Sequence, residues 1–190
     1  MSRLRWISAA ALLGASLAGS RQARADIAIA GDFDVGLPIS QTSAASYLAT
    51  GLGFDARLGY RFRIPYQPLW IVPEVAFGYD DLSAHLIRLR PGVRVSFGRF
   101  VVPFVYTHLG WGWTSFDPLG AADPHSLATF ESSSGLAFDA GAGVDLSVLR
   151  MLTVGAHLGY NVVEVGQVDA THPQWNAKWL SVGLNGTFFF

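Results

Sequence analysis

The sequence predicts an all-β fold: a closed, antiparallel, eight-stranded up-and-down transmembrane β-barrel behind an N-terminal signal peptide. Three observations predict it. Only 14% of the 190 residues are charged while 51% are hydrophobic, against about 25% charged in ordinary soluble domains. Beyond residue 26, large apolar residues alternate with small or charged ones in eight successive stretches, the two-residue period of strands. No stretch carries a convincing helical period.

The first 25 residues read as a leader. Arg3 and Arg5 open it, residues 6–19 are apolar, and Ala23-Arg24-Ala25 sets small residues at the two positions a signal peptidase reads. Cleavage is expected before Asp26. The apolar run is shorter than the roughly 20 residues a spanning helix needs. Residues 26–190 are then one domain. The chain has no cysteine, so neither a lipidated cysteine, a disulfide framework nor a thiolate metal site is expected. Four of the 13 basic residues lie in the leader, leaving nine bases against 14 acids, a formal charge of −5. Nucleic-acid binding, which needs a basic face, is not expected.

The strands follow in order. Residues 27–37 set Ile27, Ile29, Phe33, Val35 and Leu37 against Asp32 and Asp34. Residues 48–62 set Leu52, Phe54, Leu58, Tyr60 and Phe62 against Asp55, Arg57, Arg61 and three glycines. Residues 69–79 set Ile71, Val75 and Phe77 against Glu74 and Gly78. Residues 86–97 set Ile87, Leu89, Val93, Val95 and Phe97 against Arg88, Arg90 and Arg94. Residues 101–114 set Val101, Val105, Leu109, Trp111 and Trp113 against Tyr106, His108 and two glycines. Residues 135–148 set Leu136, Phe138, Val144 and Leu146 against Asp139, Asp145 and two glycines. Residues 152–162 set Leu152, Val154, Leu158 and Tyr160 against Thr153, His157 and Asn161. Residues 179–190 set Leu180, Val182, Leu184, Phe188 and Phe190 against Ser181, Gly183, Asn185 and Thr187.

Connections after strands two, four and six are short (residues 63–68, 98–100 and 149–151). Those after strands one, five and seven are long (38–47, 115–134 and 163–178); the one after strand three, 80–84, is not. Which face is wet follows from volume. The polar face is mostly glycine, alanine and serine, and the chain has a single lysine, Lys178, unlike a solvated exterior. An eight-stranded interior holds side chains and little else. It accommodates glycine-rich rows with interspersed charges, not eight rows of Leu, Phe, Val and Trp. Closure also satisfies every backbone group in lipid. Tyr60, Phe62, Phe97 and Phe100 at the turn end, and Tyr79, Trp111 and Trp113 toward the loop end, are expected to form two interfacial aromatic girdles.

Across nearly all of the chain beyond the leader, these features resemble the small outer-membrane β-barrel family of the OmpA and OmpX type. The specific pieces are Phe138-Asp139-Ala140-Gly141-Ala142-Gly143-Val144-Asp145, Pro103-Phe104-Val105, and the ending Phe188-Phe189-Phe190. The resemblance implies a bacterial outer-membrane location, periplasmic termini and short turns, and extracellular long loops. It also implies that the barrel assembly machinery reads Phe188 and Phe190 during biogenesis; the glycine usual upstream falls here on Asn185. The chain stops at strand eight, so no peptidoglycan-binding domain and no cell-wall link is expected.

The inward charges are Asp32, Asp34, Asp55, Arg57, Arg61, Glu74, Arg88, Arg90, Arg94, Asp139 and Asp145. Charges deprived of water must be paired. A salt-bridge network is expected, with Arg57, Arg90 and Arg94 near Glu74 and Asp55, plugging the lumen. The competing reading is a narrow passive pore lined by the same residues. A lipid A-modifying barrel enzyme is the lesser alternative. It would need a histidine beside a nucleophile, and His125 and Ser126, adjacent on a loop, point apart in an extended chain. No catalytic residue, cofactor or metal site is assigned; Gly141 and Gly143 lie in a strand, not at a strand–helix turn. The expectation is a monomeric, non-enzymatic barrel in outer-membrane lipid, serving envelope integrity or presenting loops 115–134 and 163–178 to partners.

Overall fold

A computed structural model describes residues 25–39, 48–116, 133–165 and 175–190. The signal-peptide assignment and most of the three long loops therefore lie outside the described residues. The strands are β1 (Ala25–Pro38), β2 (Gly51–Arg63), β3 (Leu69–Asp81), β4 (Ala84–Phe97), β5 (Val101–Phe116), β6 (Ser133–Leu149), β7 (Leu152–Val165) and β8 (Trp175–Phe189). Each pairs antiparallel with the next, and β1 pairs with β8 to close an eight-stranded barrel. All eight expected strands are present.

Most strands run further toward the loop end than the alternation indicates. β3 continues to Asp81, β4 begins at Ala84, β6 at Ser133 and β8 at Trp175. The reason is local. At that end the inward residues are themselves apolar, so the two faces no longer contrast although the backbone still pairs. Thirteen to seventeen residues per strand, at about 3.3 Å each and tilted by about 40°, rise roughly 33–43 Å. That exceeds the apolar band of about 25 Å, so the strand ends stand clear of it.

The turns use residues suited to them. Gly98 has φ +119°, and a Cβ there would collide with the Val101 carbonyl, so glycine is required. β3 and β4 are joined only by Leu82 and Ser83, with Ser83 at φ 66°. Two prolines interrupt the sheet. The β2–β3 register lapses between Gly59↔Glu74 and Phe62↔Ile71, beside Pro73. The β4–β5 register lapses between Leu89↔Trp111 and Gly92↔His108, beside Pro91. Proline has no N–H to give the ladder. Pro73 and Pro91 both lie in the β3–β4 hairpin, and each lapse falls on an outer flank of it.

Side chains sort by parity. Leu58, Phe33, Leu109 and Leu184 are 60%, 56%, 53% and 69% exposed on the outside, whereas Arg88 and Arg90 are 2% and 1% exposed inside. A water-soluble barrel would show the reverse, and so large an apolar exterior marks a lipid-facing surface. The interior has three tiers. At the loop end Leu48, Leu82, Leu86, Val163 and Trp179 form a buried apolar cap with Ala84, Ala137 and Ala177. The middle tier is charged. At the turn end the lumen opens into a cavity.

Candidate functional site

The middle tier exists because seven strands each send at least one ionisable side chain inward at a similar height. Glycine leaves room for them: a methyl group on Gly78 would lie 2.7 Å from Arg90 Nη2 and 3.1 Å from Arg88 Nη2. Likewise, one on Gly141 would lie 2.5 Å from the Tyr106 ring.

Most of the charges form one connected lattice running from Asp32 through Arg57, Glu74, His108, Asp139, Arg90, Asp55 and Arg88 to Asp80; the Arg94–Asp145 and His157–Asp34 pairs stand beside it. Arg57 reaches Asp32 at 2.8 Å and Glu74 at 3.3 Å. Arg88 reaches Asp80 at 2.5 Å and Asp55 at 3.6 Å, donates to Asn161 Oδ1 at 2.6 Å, and lies 4.8 Å from the Trp179 ring. Arg90 bridges Asp55 and Asp139. Arg94 pairs with Asp145; its guanidinium lies 3.6 Å from the Phe104 ring. Asn185 Nδ2 donates to the other Asp145 oxygen at 2.8 Å.

His108 joins two of these groups. Its Nδ1 lies 2.6 Å from Asp139 Oδ1 and its Nε2 3.1 Å from Glu74 Oε1. Seven carboxylates (Asp32, Asp34, Asp55, Glu74, Asp80, Asp139 and Asp145) share this tier with four arginines, and His157 Nε2 lies 3.8 Å from Asp34.

The structure brings these residues together in its own wiring. Arg57 and Glu74 do meet, as do Arg90 and Asp55. Arg94 instead takes Asp145, because β6 brings that carboxylate across the lumen at its level. Arg61 stands apart at the turn end, bonded to Asp26 at 2.5 Å. Asp34 meets a histidine, not an arginine. Asp80, Asp26 and His108 were absent from the expected set. Asp80 shares the inward parity of Glu74 and Gly78, which could have found it; the hairpin residues beside it suggested a loop. Among the other histidines, His85 Nδ1 lies 2.8 Å from the Tyr79 hydroxyl, while His125, Ser126 and His172 fall outside the described residues.

The void within the lattice is about 10 Å³, bounded by Asp32, Asp55, Arg57, Arg90, Tyr106 and His108 among others. That is about one water.

No protein-family model matches the chain, and no curated protein matches it. Solved structures do. Neisserial surface protein A (NspA) aligns over 88% of this chain and 99% of its own, with a TM-score of 0.55 and 18% identity. The N-terminal β-barrel domain of Pseudomonas aeruginosa OprF aligns over 89% of this chain and 100% of its own, with a TM-score of 0.55 and 13% identity. The fold is that of the small outer-membrane β-barrels. In such a barrel the exposed rings of Tyr60, Phe97 and Phe100 lie at the turn end, and those of Tyr79, Trp111 and Trp113 toward the loop end, where aromatic girdles belong. Phe188 and Phe190, on the outward face beside the closing β1–β8 seam, pack with ring centroids 4.7 Å apart.

Proposed function

We propose that this chain is an integral bacterial outer-membrane protein with a structural or loop-presenting role and a closed lumen. The observation that carries the reading is how the interior is filled: a buried ion-pair lattice with space for about one water, under a cap containing fully buried Trp179, Leu82 and Leu86. In this reading the two termini and short turns face the periplasm, and the long loops face outward. The barrel works as a monomer in outer-membrane lipid, the assembly machinery recognises the Phe188 and Phe190 end, and no cofactor or catalytic step is involved.

Planar-bilayer recording tests the closed lumen. The wild-type protein is expected to give no steady conductance. A variant that deletes a lattice hub and a cap residue together, Arg90→Ala with Trp179→Ala, is expected to give small channel events. Sustained wild-type conductance would favour the narrow pore. Enzymatic activity is tested separately by mass spectrometry of lipid A from cells expressing the protein, with an unchanged profile expected.

A further inference from the structure

At the turn end the lumen widens into a cavity of about 900 Å³ whose wall carries Arg61, Arg63, Arg94, Arg99 and Arg150. The acids in that wall are Glu74 and Asp145, and both are engaged. Glu74 lies 3.3 Å from Arg57 and 3.1 Å from His108; Asp145 holds Arg94. Arg61 is taken by Asp26. Arg63, Arg99 and Arg150 have no carboxylate at ion-pair distance among the described residues.

These three guanidiniums come from separate parts of the rim: the end of β2, the β4–β5 turn and the β6–β7 turn. Structure brings them to one cavity. Arg63 lies 5.5 Å from the Trp70 ring, on which Arg61 also stacks at 4.3 Å while lying 3.7 Å from Phe189. The β4–β5 turn is tied to the end of β6: Ser147 Oγ donates to the Arg99 carbonyl at 2.8 Å and Ser147 N to the Phe100 carbonyl at 2.9 Å. That anchors Arg99 beside the strand that leads into Arg150. Like charges gathered in a concave, partly apolar wall raise the local positive potential and concentrate anions. The ion-pair tier lies beyond the cavity, with Glu74, Arg94 and Asp145 of that tier in its wall.

We propose that this turn-end vestibule is a phosphate-binding site, with Arg63, Arg99 and Arg150 holding a phosphoryl group. A lone carboxylate satisfies one guanidinium fork. Three exposed guanidiniums lining one cavity suit a group with more oxygens, and a phosphoryl group supplies them with geometry suited to arginine. The phosphoryl group belongs either to a lipid headgroup at the rim or to a free phosphate ester. The site does not depend on which side of the membrane the turns face.

The test has two arms, each run on the wild-type protein and on the triple variant Arg63→Gln, Arg99→Gln, Arg150→Gln. These side chains lie outside the ion-pair lattice, and folding is verified by heat-modifiable gel migration. In one arm, protein in uncharged detergent is titrated calorimetrically with glycerol phosphate and, separately, with acetate. In the other, protein from nanodiscs containing phosphatidylglycerol is released into native mass spectrometry and scored for retained lipid. Saturable binding of glycerol phosphate, weakened about tenfold or more in the variant, assigns a free ester. One retained phosphatidylglycerol, lost in the variant, assigns a headgroup. Binding in neither arm, equal binding by the variant, or acetate binding as tight as phosphate overturns the proposal. If the triple variant does not fold, the pair Arg63→Gln and Arg99→Gln is judged by the same criteria.

Discussion

Arg88 shows what the lumen asks of a single residue. It is buried, it meets Asp80 at 2.5 Å and Asp55 at 3.6 Å, and it donates to Asn161. Removing one partner of a buried ion pair leaves an uncompensated charge and costs about 3–5 kcal/mol, whereas replacing both by apolar groups is often near neutral. Arg88→Met is therefore expected to lower the urea midpoint of unfolding in lipid vesicles by that order of free energy. Adding Asp80→Leu is expected to recover a large part of the loss, since Asp55 retains Arg90. A double variant no more stable than the single one would argue that Asp80 and Arg88 are not energetically coupled. Residue-scale legibility is partial for the same reason. Parity told which charges point inward, because successive strand residues face opposite ways. It did not tell that Arg90 reaches Asp139 two strands away or that Arg94 takes Asp145. Those pairings depend on the heights at which strands meet across the lumen, and hairpin lengths alone do not fix that.

Among the elements, β3 and β4 stand out because each carries a proline at mid-strand. The lapses in the β2–β3 and β4–β5 registers remove ladder hydrogen bonds where β6 and β7 pair continuously from Gly135↔Val165 to Ser147↔Thr153. Backbone amides at the two lapsed seams are expected to exchange hydrogen sooner than those of the β6–β7 seam. Mass-spectrometric exchange on the barrel in micelles measures this, and uniform protection around the barrel would contradict it. The final strand has a separate demand. Phe190 donates its N–H to the Ile27 carbonyl at 3.0 Å, and its side chain packs on Phe188. Deleting Phe190 is expected to leave refolding into detergent intact while lowering the amount of folded protein recovered from cell envelopes. Unchanged envelope recovery would remove Phe190 from the assembly signal. The sequence was most readable at this scale, since a lipid-contacting face set against a glycine-rich one gives the strongest contrast a strand can show. It blurred only where Leu82, Leu86 and Trp179 make the inside apolar too.

For the whole molecule, closure and an apolar exterior fix behaviour in solution. The folded barrel is expected to need detergent or lipid, and to migrate differently on a gel before and after boiling. A monodisperse, detergent-free species would contradict a lipid-facing exterior. The interior is tiered where a uniform tube would not be: the loop end is filled by apolar packing, the centre by ion pairs, and the turn end carries spare positive charge. None of these tiers was legible as a tier, because each is assembled from one or two residues on many strands. Only the three-dimensional register collects Arg63, Arg99 and Arg150, or Leu48 and Trp179, in one place.

Shared partners in the lattice bear on inheritance. Asp55 serves both Arg88 and Arg90, and Glu74 serves both Arg57 and His108, so a mutation at either carboxylate takes a partner from two groups at once. Descendants of this gene would therefore be expected to alter these sites in company or not at all, while the greasy rows facing the bilayer, where one hydrocarbon substitutes readily for another, drift independently.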